Sequence, residues 1–145
     1  MSDLDSPATT DLEGASSVEV RTSANAALIP TIRAVASDLA ARADFDLDAI
    51  SDLRMAVDEA CATLVDLAAP ASTLRCTFLV RPDHIEVRAA VRAGRPDATV
   101  ATDTFGWRVL QTLADDVAVA NSPVTESEGP TVGITLTKRA GDHPR

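Results

Sequence analysis

The stretch DLRMAVDEACATLVDLA, Asp52 to Ala68, decides the fold of this chain. Indexed at about 100° per residue, Ile50, Leu53, Val57, Ala60, Cys61, Leu64 and Ala68 fall in one narrow stripe, the pattern of a helix packed on a core. Glu59 points away from that stripe, on the side of Asp52, Met55 and Asp66, with Thr63 one turn further on. By spacing alone this row reads as a solvated acidic face. Asp46 is placed to cap the helix and Pro70 to stop it.

Upstream, SVEVRTS (Ser17 to Ser23) alternates as a short strand, with Val18 and Val20 on one face. In ANAALIPTIRAVASDLAARA (Ala24 to Ala43), Leu28, Ile32, Val35 and Leu39 recur at helical spacing, and Pro30 sets the firm start of that helix near Leu28 to Pro30. Downstream the period changes. Leu74, Cys76, Phe78 and Val80 alternate with Thr73, Arg75, Thr77 and Leu79. Ile85, Val87, Ala89 and Val91 then alternate with Glu86, Arg88, Ala90 and Arg92, so that RPDH between the runs closes an antiparallel hairpin. Ala93 to Thr104 reads as a loop. Phe105 to Val119 returns to helical spacing through Val109, Leu110, Leu113 and Val117, and PTVGITLTK (Pro130 to Lys138) alternates as a last strand. The order strand, helix, helix, hairpin, helix, strand predicts a sheet with one exposed face and helices over the other. No internal repeat is visible.

At 145 residues the chain suits one domain that buries roughly two thirds of the surface of its unfolded form. Cys61 and Cys76 lack C-x-x-C spacing and lie on apolar stripes, so buried free thiols are expected in place of a disulfide or zinc site, as in a reducing cytoplasm. Residues 1–17 are polar and acidic, with neither a basic nor an apolar signal region, and read as a disordered tail; 140–145 read as a flexible C-terminal tail. No segment approaches a membrane span. A net charge of −9 with scattered basic residues argues against direct nucleic-acid binding and suits a basic protein partner. His84 and His143 have no partners at metal-ligand spacing. Trp107 reads as a packing residue. Asp115 and Asp116 read as a solvated face, with a surface for a basic partner as the alternative.

Order and motifs together resemble the anti-sigma factor serine kinases of the GHKL, or histidine-kinase-like, ATPase superfamily, over Val18 to Arg139. DLRMAVDEAC looks like the family's N-box helix, in which a glutamate is the general base and an asparagine four residues later binds magnesium. Glu59 occupies the glutamate position and Thr63 the asparagine position. FGWRVLQTLADDV (Phe105 to Val117) is similar to the glycine-containing turn and helix beside the nucleotide phosphates, with Gly106 as its glycine. GPTVGITLTK resembles the closing Gly-x-Thr strand, through Gly129 and Thr131. The resemblance implies the α/β sandwich of the histidine-kinase-like ATPase (Bergerat) fold, with a mostly antiparallel or mixed sheet covered on one face by helices.

The chain departs from that pattern where the family carries an Asp-x-Gly-x-Gly box whose aspartate holds the adenine amino group. Here the place reads VRAGRPD, with Ala93 or Gly94 in the aspartate position, and Asp97 substitutes only if the loop shifts. A hydrogen bond to a charged group is worth about 1.5–3 kcal/mol, so its loss weakens nucleotide binding about ten- to a hundred-fold. The lid, Arg95 to Thr104, is short and has no run of glycines to wrap phosphates. Thr63 is a poorer magnesium ligand than an amide carbonyl.

The resemblance therefore implies a cytoplasmic, homodimeric anti-sigma factor that sequesters an alternative sigma factor of stress or sporulation type and is released by an anti-anti-sigma factor. Arg33, Leu28 and Ile32, on the first helix, are the expected partner contacts. The alternative is an active Mg-ATP-dependent serine/threonine kinase that phosphorylates the anti-anti-sigma factor through Glu59.

Overall fold

The computed structural model describes residues 16–120, 122–125 and 129–141. Its elements are β1 (Ser16–Ser23), a 3₁₀ turn (Ala26–Leu28), α1 (Ile29–Arg42), α2 (Leu47–Leu67), β2 (Thr73–Val80), β3 (His84–Arg92), α3 (Phe105–Leu113), β4 (Asp116–Val119), β5 (Ser122–Thr125) and β6 (Gly129–Arg139). The strands form one sheet in the order β1-β2-β3-β6-β4, with β5 also beside β6, and every pairing is antiparallel.

Register explains why the alternating runs make one core. Cys76 lies opposite Ala89, which lies opposite Ile134, and the flanking rows are Phe78, Val87, Leu136 and Leu74, Val91, Val132. All nine side chains are buried. Their shared face receives α2 through Leu53, Val57 and Leu64, each fully buried in the same cluster. Burying one such side chain contributes about 1.5–3 kcal/mol, and a one-residue slip of any strand would turn its whole apolar set to solvent.

The helices start where their caps dictate. Pro30 is in the first turn of α1, where its missing N–H costs no hydrogen bond. Asp46 caps α2, its Oδ1 accepting from the Ala49 N–H at 2.7 Å. Between them Asp44 is left-handed (φ 62°), a conformation aspartate tolerates better than most residues. The buried stripe of α1 is Ile29, Ile32, Ala36 and Ala40, while Val35 and Leu39 lie at its margin. Small residues on the axis of contact let α1 lie close on α2, whose buried face includes Ala56 and Ala60.

Three boundaries differ from the sequence reading. The helix expected through Val119 ends at Leu113, and Asp116–Val119 pairs with β6 instead. Lys138 makes the break: its Nζ donates to the Leu113 carbonyl at 3.0 Å and to Asp52 Oδ2 at 3.2 Å, while Asp115 Oδ2 accepts from the Arg139 N–H at 2.7 Å. Asp115 is thus a turn-forming group and not simply a solvated charge. β5 adds a strand beside β6 that the alternation pattern does not mark. At the termini, β1 takes in Ser16 and Ser17, and Ala140 is held by backbone hydrogen bonds to Asp83 and Asp46 at 3.0 Å each; the rest of the two expected tails, 1–15 and 142–145, lies outside the described residues. No helix among the described residues is long and apolar enough to cross a membrane.

Cys61 and Cys76 are free and buried, with their Sγ atoms 3.8 Å apart between α2 and β2. The hydrogen bond to Cys76 and burial push the Cys61 thiol well above the ordinary thiol range, so it stays protonated and unreactive. Neither thiol should react with Ellman's reagent in the native protein within minutes, and both should react once guanidinium unfolds it. Ile32→Ala should lower stability by about 2–5 kcal/mol, read as a fall in urea midpoint at unchanged slope.

Candidate functional site

Two elements distant in sequence bring Glu59 and Gly106 together. Thr104 caps α3, its Oγ1 accepting from the Trp107 N–H at 3.1 Å, and this orients the first turn of the helix toward α2. Gly106 lies in that turn so close to Glu59 that a Cβ placed on it would strike the Glu59 carboxylate. The carboxylate therefore rests on the N-terminal turn of α3, where unpaired N–H groups and the helix dipole favour negative charge. Glu59 is half-buried, not freely solvated. Thr63, one turn further along α2, is also half-buried, and Met55, one turn back, is 47 % exposed.

Among the described residues nothing donates a hydrogen bond to Glu59. It is an acceptor with open lone pairs, positioned by packing, and a hydroxyl presented to it would find a base within reach. Phe105, which precedes Gly106 at the start of α3, is 80 % exposed. Trp107 is buried in the core, as its packing role requires.

The purine end of a nucleotide site is different. Ala93, which with Gly94 occupies the place of the expected aspartate, is buried at the end of β3, with its N–H donating to the Pro130 carbonyl at 2.9 Å. The Gly94 N–H donates to the Leu67 carbonyl at 2.9 Å, which ties this corner to the end of α2. Asp97 does not take the missing role: its side chain is 86 % exposed and lies 3.9 Å from Arg95. Ala98 and Val100 of the same loop are buried in the main core. Two clefts, of 620 and 410 Å³, lie elsewhere, and neither is lined by Glu59, Thr63 or Gly106. The residues present match the base and helix-turn part of a Mg-ATP site but supply neither the purine acceptor nor a glycine-rich phosphate loop, so they do not fit the whole group.

The expected partner contacts also separate. Ile32 is 0 % exposed and packs in the core, so it is a structural residue and not a contact. Leu28, at the end of the 3₁₀ turn, is half-buried. Arg33 is partly exposed and its Nη1 donates to Asp58 Oδ2 at 2.9 Å, an ion pair between α1 and α2 that sequence spacing did not reveal. Asp58 Oδ1 is buried with no hydrogen-bond partner. Thr131 lies away from Glu59 and lines the cleft on the uncovered face of the sheet. His84 pairs with Asp83 at 2.8 Å, and His143 lies outside the described residues. Among the described residues no cluster of His, Cys, Asp or Glu could hold a metal ion.

Residues 22–136 match the family described as histidine kinase-like ATPase domain. The chain is also 36 % identical, over 140 residues, to the anti-sigma-F factor RsbW of Mycobacterium tuberculosis, in both strain CDC 1551 / Oshkosh and strain ATCC 25618 / H37Rv. That alignment covers 96 % of this chain and 83 % of the relative.

Gly106→Ala should displace the Glu59 carboxylate at small cost, because the colliding group is the tip of a flexible side chain. The Glu59 carboxyl resonance should shift in a ¹³C spectrum while stability changes by no more than about 0.5 kcal/mol.

Proposed function

The chain belongs to the histidine kinase-like ATPase domain family, and from that premise we propose that it acts as a cytoplasmic anti-sigma factor, binding an alternative sigma factor and keeping it from RNA polymerase. What supports the partner class is the 36 % identity to an anti-sigma-F factor across nearly the whole chain. What favours a binder over a kinase is a single feature of the site: Ala93 and Gly94, neither of which carries a carboxylate, occupy the place where a nucleotide-binding member of the family would present one to adenine.

In this reading the sigma factor is held by the outer side of α1. Arg33 reaches solvent there beside Leu28 and the exposed Pro30 and Ala34. Its ion pair with Asp58 fixes the guanidinium in one direction, which lowers the entropy lost when a partner carboxylate binds it. The chain's net charge of −9 speeds encounter with the basic surfaces of a sigma factor. Release follows when an anti-anti-sigma factor competes for the same surface, and a homodimer is the assembly in which this operates.

The second reading, a serine kinase acting on the anti-anti-sigma factor, draws on the meeting of Glu59 with the first turn of α3. Proton abstraction is of no use without a positioned phosphoryl donor, and the purine and phosphate ends of the site lack the groups that would position one.

Calorimetric titration with the cognate sigma factor, with and without Mg-ATP, separates the readings. The binder should show the same affinity in both conditions and keep it in Glu59→Ala. Arg33→Ala should weaken binding at least about ten-fold, equivalent to about 1.4 kcal/mol. Ala34→Glu, on the same exposed face and without effect on the Asp58 ion pair, should do likewise. A requirement for Mg-ATP, with loss of phosphate transfer in Glu59→Ala, would establish the kinase; absence of binding in both conditions would overturn the anti-sigma assignment for that partner.

A further inference from the structure

On the face of the sheet that no helix covers, charge is distributed against the trend of the whole molecule. The register sets Arg21 directly opposite Arg75, which lies opposite Ala90 and then Gly133. In the neighbouring rows Ser23 lies opposite Thr73, and Arg92 opposite Thr131. Arg21, Arg75 and Arg92, with Ser23, Thr73 and Thr131, line the 620 Å³ cleft here.

Like charges directly across an antiparallel pair are destabilising. Glu19 is the one carboxylate that relieves Arg21 and Arg75 among the described residues, and it is shared at 3.5 and 3.8 Å. Arg92 pairs with no carboxylate among the described residues, whereas Arg88 is neutralised by Glu86 at 2.8 Å. One end of this face is thus a basic, hydroxyl-rich groove on a chain of net charge −9.

The groove calls for an acidic occupant, and the chain carries an acidic segment. Residues 1–15 contain Asp3, Asp5, Asp11 and Glu13 and no lysine or arginine. They lead directly into β1, the edge strand that contributes Arg21. An extended chain covers about 3.3 Å per residue, so fifteen residues span up to about 50 Å, enough to turn back from Ser16 along the sheet and reach Arg21, Arg75 and Arg92. Covalent tethering supplies an effective concentration of about millimolar order, which a free acidic peptide of similar affinity would have to exceed. The negative charge of the rest of the molecule repels the same segment.

We propose that the acidic segment preceding β1 docks within its own chain into the arginine groove on the open face of the sheet, its carboxylates neutralising Arg21, Arg75 and Arg92.

The test compares amide NMR spectra of the full chain with those of the D3N/D5N/D11N/E13Q variant, which alters no residue of the sheet. At low salt the variant should shift the amides of Thr22, Thr73, Ala90, Arg92 and Thr131 and leave α1 and α2 unmoved. The difference should vanish at about 1 M salt, where the screening length falls to about 3 Å, and should not depend on protein concentration. No difference at low salt, a difference that grows with protein concentration (docking onto a second copy), or the same shifts produced by E126Q/E128Q and not by the N-terminal variant would each overturn the proposal.

Discussion

The antiparallel register of β2, β3 and β6 is the constraint on which the rest of the molecule depends. It puts nine apolar side chains in three rows on one face and leaves the alternate positions, Arg75, Ala90, Arg92, Thr131 and Thr135 among them, on the other. The apolar face can be covered only by a helix long enough to cross several strands. α2, at 21 residues, is that helix, and α1 and α3 take their places from it. Everything that bears on function is carried on elements whose orientation this packing decides.

The candidate site follows from that arrangement. With Leu53, Val57 and Leu64 turned to the sheet, Glu59 faces the flank of α2, and the first turn of α3 arrives there because Trp107, Leu110 and Leu113 are buried in the same core. Gly106 permits the approach by having no side chain. The same packing closes the other end of the site. Ala93, Ala98 and Val100 are drawn into the core, so the corner that would meet a purine is apolar and tied by backbone hydrogen bonds to the end of α2. A half-buried carboxylate on the first turn of α3 and an apolar corner at the end of β3 are thus two results of one packing arrangement.

Charge separates along the same division. The helical side and the chain as a whole are acidic, while one end of the uncovered sheet face is basic through side chains fixed by strand alternation. Such a split gives the two faces different preferences for partners without any change in fold, and it is invisible in the net charge.

Much of this was legible in the sequence. The period of about 3.6 in Asp52 to Ala68, the period of two in the hairpin and last strand, and the Asp46 and Pro30 signals determine the helices and the core strands, because hydrophobic periodicity and capping are local; the histidine-kinase-like family was legible only through the motifs DLRMAVDEAC, FGWRVLQTLADDV and GPTVGITLTK. The Glu59 and Gly106 positions were legible as motifs. Their contact was not, since it depends on how α3 crosses α2. Only the tertiary structure decided that Asp116–Val119 is a strand: a short apolar alternation also fits a helix, and the free edge of β6 together with Lys138 on the Leu113 carbonyl settles it. It also decided that Ile32 is core while Arg33 is a surface ion pair with Asp58, and that Arg21, Arg75 and Arg92 form one groove. Those facts join residues separated by tens of positions, and the local pattern of a chain holds no record of which distant segment will become its neighbour.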